Sequence, residues 1–65
     1  MNLIEGLQAQ LNRCRELLKA YEELGTVGAF GRLVIQISID KGEAAIASGD
    51  VAQMIRAHSD LEQRQ

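Results

Sequence analysis

Few side chains in this 65-residue sequence could do chemistry by themselves. The most unusual stretch is Gly25-Thr26-Val27-Gly28-Ala29-Phe30-Gly31, with a glycine at every third position. Glycines at the start of a helix let backbone N–H groups approach an anion closely, and the helix dipole favours negative charge there. Arg32 could add a bidentate contact to a phosphate or carboxylate. Thr26, Gly28, Gly31 and Arg32, with Tyr21 at the rim, are therefore the candidate site for a small anionic ligand such as a nucleotide. The spacing lacks the Gly-Lys-Ser/Thr of a P-loop, and no strand precedes it as a dinucleotide fingerprint requires. The plainer reading is a tight turn between helices, with Phe30 tucked beneath it.

The remaining reactive groups are single. Cys14 is the one cysteine and His58 the one histidine. Neither a structural zinc cage nor an intrachain disulfide can be assembled from them. A buried thiol behaves as a small hydrophobe, although two copies meeting at Cys14 could be joined by oxidation. His58 reads as a satisfied histidine at an interface. The carboxylates are spread along polar positions with no pairing that would shift a pKa. The inventory therefore points away from an enzyme, and no cofactor or metal is expected.

Charge narrows the partners. The net charge of −2 removes the electrostatic footprint of a nucleic-acid binder. A DNA-reading helix-turn-helix also fits poorly, because its second helix would open on Leu33-Val34-Ile35 instead of side chains that read base edges. No apolar run is long enough to span a bilayer, and the start lacks the basic and apolar regions of a signal peptide. A lone thiol without an export signal suits a reducing cytoplasm. Chains this short rarely derive more than about 3–5 kcal/mol from one core. Without disulfides or a metal, self-association is the expected support.

These side chains must be held by helices. Ile4, Leu7, Leu11, Cys14, Leu18 and Tyr21 recur at spacings of 3, 4, 3, 4 and 3, which is a helical seam. Leu3, Leu17 and Leu24 widen it beyond what one neighbour covers. Asn2, with Glu5 three residues on, reads as a capping box. The spacing predicts a helix over about 3–24, a glycine-rich corner over 25–31 and a second helix over about 29–48. Thr26 is the expected cap of that second helix. On that helix Phe30, Leu33, Val34, Ile37, Ala44 and Ala45 lie near one face, with Ile35, Ile39 and Ile46 on a flanking stripe. Residues 32–40 are also β-branched enough to read as an intermolecular strand. Ser48-Gly49-Asp50 ends the second helix, and Asp50 caps a third over about 51–62, with Gln53 as its capping-box partner. Val51, Met54, Ile55, His58 and Leu61 form its apolar face. Residues 62–65 are expected to fray.

Met1–Gly25 (MNLIEGLQAQLNRCRELLKAYEELG), GAFG at 28–31 and AIASGDV at 45–51 resemble a group of short proteins encoded in phage and prophage regions of proteobacteria. That resemblance implies a small accessory protein that binds and disables a host component, and it carries over no functional residues. The whole reading is one all-α domain over residues 1–65, a helical hairpin plus a short third helix. It is expected to self-associate into a dimer or larger helical bundle, with Leu3, Leu17, Leu24, Phe30, Ile35 and Ile39 at the interface. A host protein is the expected further partner. A purely structural assembly module would use the same surfaces.

Overall fold

A computed structural model describes residues 2–65. The described chain is helical throughout, and three helices pack on one another. Helix α1 spans Leu3–Glu23. Asn2 caps it, with its Oδ1 accepting from the Glu5 backbone N–H at 2.8 Å. After Leu24 the chain needs a left-handed residue to leave the helix, and Gly25 supplies it with φ +62°. A single 3-10 turn, Gly25–Gly28, runs directly into α2, Ala29–Ser48. Gly49, with φ +71°, ends α2. Asp50 then caps α3, Val51–Glu62, its Oδ1 accepting from Ala52 at 2.9 Å and Gln53 at 3.2 Å. Gln53 does not reach back to the Asp50 N–H; the Ser48 hydroxyl accepts that bond at 3.1 Å.

Residues 32–40 are the middle of α2, so the strand reading fails. A lone strand has no ladder to join, whereas a helix here can bury Ile35 and Ile39. Of the two apolar stripes of α2, the flanking one with Ile35 and Ile39 turns inward, together with Ala45 of the other. Ile35, Ser38, Ile39, Gly42 and Ala45 point inward, and Phe30, Leu33 and Ile37 point out. Small residues select this face. A Cβ on Gly42 would lie 2.8 Å from Leu11 Cδ2 and 3.1 Å from Leu61 Cδ1, and one on Gly31 would enter the Tyr21 ring. Only that side of α2 lets α1 and α3 approach closely enough to close-pack. Ile35 and Ile39, at 2% and 3% exposure, are thereby core residues and are removed from the expected interface.

The leucine ridge of α1 is covered from within. Leu7, Leu11 and Cys14 are buried, and Leu3, Leu17, Leu18 and Tyr21 pack against that core. Helix α3 provides the second wall through Met54, Ala57 and Leu61. The accessible surface of 4292 Å² is close to the roughly 4,100 Å² expected of a compact monomer of this mass. Of the ridge, Leu24 and Ile4 remain exposed.

The residues that follow α3, expected to fray, make contacts to α1 and α2. Arg13 of α1 donates to the carbonyl of Leu61 and, at 2.8 Å, to that of Arg64. A cation there satisfies orphan carbonyls and complements the negative end of the helix dipole. Arg64 bonds the Ser38 hydroxyl at 2.9 Å and the Asp60 carboxylate at 2.7 Å. The Tyr21 hydroxyl donates to the Gln65 carbonyl at 2.6 Å. Ser38 is the one buried polar side chain among the described residues, and this network satisfies it.

Candidate interaction surface

The glycine-rich corner is a packed turn. A Cβ on Gly28 would collide with the Tyr21 carbonyl oxygen, and Gly31 gives its space to the Tyr21 ring. Close helix packing therefore accounts for both glycines. The Ala29 N–H at the start of α2 already bonds the Thr26 carbonyl. Thr26 lies inside the 3-10 turn and makes no capping bond. Arg32 points to solvent beside Glu22 and Gln36 in a shallow depression of about 170 Å³. Phe30 is not tucked under the turn; it is 78% exposed.

Cys14 and His58 are also placed by packing. The Cys14 thiol is fully buried and contacts the Leu61 carbonyl at 3.5 Å. Burial pushes its pKa up, against the opposing pull of Arg13 and Arg64, so it stays a thiol at neutral pH. It faces α3, which removes the expected route to an interchain disulfide. His58 is half-buried, with Nδ1 3.8 Å from Glu62 Oε2. It lines an open groove of about 390 Å³ between α1 and α3, with Leu3 and Ile55. A second groove, about 510 Å³, runs between α2 and α3 past Lys41, Arg56 and Asp60. Partial burial raises the pKa of Asp60, but the Ser38 hydroxyl and the Arg64 guanidinium outweigh it and, with Lys41, hold the carboxyl below its ordinary value. Asp60 is thus ionised at neutral pH and unsuited to acid catalysis. Among the described residues, no cluster of three or more His, Cys, Asp or Glu could hold a metal ion. No described helix is long and apolar enough to cross a membrane.

Packing leaves large apolar side chains uncovered at Ile4, Val51 and Ile55 and, in a longer row, along the outer face of α2. Val27 is 89% exposed and Leu33 58%, and Leu24, Phe30 and Ile37 are exposed with them. In the α-helix proper, Phe30, Leu33 and Ile37 stand at i, i+3 and i+7, so they share one stripe. At 100° per residue that stripe lies opposite Ile35, Ile39 and Gly42. Helix α2 is therefore apolar on both sides, with one side filled by the protein itself. Of the residues expected at an interface, Phe30 and Leu24 belong to this surface, while Leu3 and Leu17 are largely enclosed. Phe30, Leu33 and Ile37 share the face their spacing predicts, whereas Ala45 of that group is buried.

No family model matches the chain, and comparison with curated proteins and with solved structures finds none similar to it.

Proposed function

We propose that this protein is a non-enzymatic helical interaction module whose working surface is the outer face of α2 around Phe30 and Leu33. One observation carries the reading: a row of large apolar side chains remains in water although the fold already has a complete core. Exposed apolar patches of a few hundred Å² mark sites of association, and aromatic anchors such as Phe30 dominate their energetics. An amphipathic helix face acts by occupying a groove or covering a surface. In the phage or prophage setting that the sequence resemblance suggests, the module would disable a host protein by steric occlusion. It would also associate with itself.

The test compares the native chain with Phe30→Asp. Circular dichroism and thermal melting should be nearly unchanged, because Phe30 contributes little to the core. Self-association measured by sedimentation, and capture of any host protein from its native cell, should both be lost. Retention of both by a correctly folded Phe30→Asp would refute the reading.

A further inference from the structure

We propose that a second copy of this chain covers the outer face of α2, in a two-fold antiparallel pair. This rests on reading that face as the interaction surface. The outward positions Phe30, Leu33, Ile37, Asp40, Ala44 and Ala47 recur at spacings of 3, 4, 3, 4 and 3. All six are exposed. That is the spacing of a seam between two helices.

Bulk falls steadily along the seam, from Phe30 and Leu33 at one end to Ala44 and Ala47 at the other. A parallel pair would set bulk on bulk and leave the alanine half gaping. An antiparallel pair sets Phe30 on the partner's Ala47 and Leu33 on the partner's Ala44. A two-fold interface requires one patch to be its own complement, and this gradient meets the requirement. The area is sufficient for a weak dimer. The exposed parts of Phe30, Leu33 and Ile37 offer about 350 Å² per copy, so the seam, with Ala44 and Ala47, buries roughly 800–1,000 Å², the low end of specific association.

The register has two costs, the first being that it sets Ile37 on the partner's Asp40, an apolar side chain against a carboxylate. A two-fold axis keeps each flank of the seam facing the same flank of its mate, so the two Asp40 side chains lie about 4.5 Å apart along the axis. Gln36 Nε2 donates to Asp40 Oδ1 at 2.9 Å, but no cation bonds it. Repulsion between these carboxylates keeps the pair weak, dissociating in the range of about 1–100 μM.

Full-length Leu33→Cys and Ala44→Cys, with buried Cys14 left in place, test the register. Each is oxidised gently at about 200 μM, alone and mixed, above the expected dissociation range. The expected result is a disulfide dimer in the mixture, several-fold more abundant than in either variant alone. Self-crosslinking of each single variant would mean a parallel pair and overturn the inference. Wild type sedimenting at 7.1 kDa at that concentration would remove the second copy as occupant. Host-protein capture by native chain but not Phe30→Asp would then leave the interaction surface itself standing. Asp40→Asn supplies an independent readout. It should tighten self-association about three-fold or more, and unchanged or weaker association would contradict the register.

Discussion

The two sides of α2 are built from similar amounts of apolar side chain and have opposite fates. The inner side alternates bulk with gaps: Ile35 and Ile39 between Gly31, Ser38 and Gly42. Into those gaps go Tyr21, Leu11 and Leu61 from the neighbouring helices. The outer side is bulky from Val27 to Ile37 and has nothing in the chain to receive it. Hydrophobicity alone does not say which face of a helix is core. Where a helix is apolar all round, the side with room for close approach is buried, and the other is left for another molecule.

Substitutions on the two sides should separate cleanly. The largest effect is expected at Leu11, buried between α2 and α3. Leu11→Ala should cost about 2–5 kcal/mol in urea unfolding, enough to unfold a domain of this size. Gly42→Val comes next. It should destabilise by about 1–3 kcal/mol, because its Cβ alone would press on Leu11 and Leu61. A glycine merely tolerated in a helix would instead give a gain or no change on the same melting curve.

Arg13→Ala should cost about 1–2 kcal/mol by freeing the carbonyls at the end of α3. Amide hydrogen exchange should then rise at residues 59–65 before it rises elsewhere. The smallest inner-side effect concerns acid. Because Asp60 is depressed in the folded state, its contribution is complete above its unfolded pKa of about 4 and disappears as pH falls through the lower folded value. Asp60→Asn should lower the urea midpoint at pH 7 and narrow the gap to wild type near pH 2. A constant gap would remove Asp60 from the acid response. On the outer side, Phe30→Ser and Leu33→Ser should leave the melting of dilute monomer within about 0.5 kcal/mol of wild type. A loss of 2 kcal/mol or more would mean that the outer face supports the fold after all.

The parts of the fold legible in the sequence are the local ones. Asn2, Gly25, Gly49 and Asp50 end or cap helices through contacts a few residues away, and each does so where its type predicts. The heptad of α1 was legible because its apolar residues lie on one side. Helix α2 was legible as a helix but not as to its inner face, since both sides are apolar and the choice depends on neighbours elsewhere in the chain. The role of Arg13 is not legible locally, because its partners lie 48 and 51 residues away. The breadth of the α1 ridge reads as a demand for another molecule, whereas Met54, Ala57 and Leu61 of α3 cover part of it. Of the candidate surface, Leu24 was legible as the last of the leucines that widen the α1 ridge, and Phe30 as an apolar anchor at the glycine-rich corner. Val27 and Ile37 could not be assigned until the inner face was known.

The most direct measurement is a concentration series of methyl and amide NMR spectra, from about 10 μM to about 1 mM, spanning weak association. The account predicts shifts confined to Val27, Phe30, Leu33, Ile37 and Ala44, with Leu11, Ile35 and Ile39 unmoved. Spectra that do not change across the series, or changes centred on Ile4, Val51 and Ile55, would contradict it.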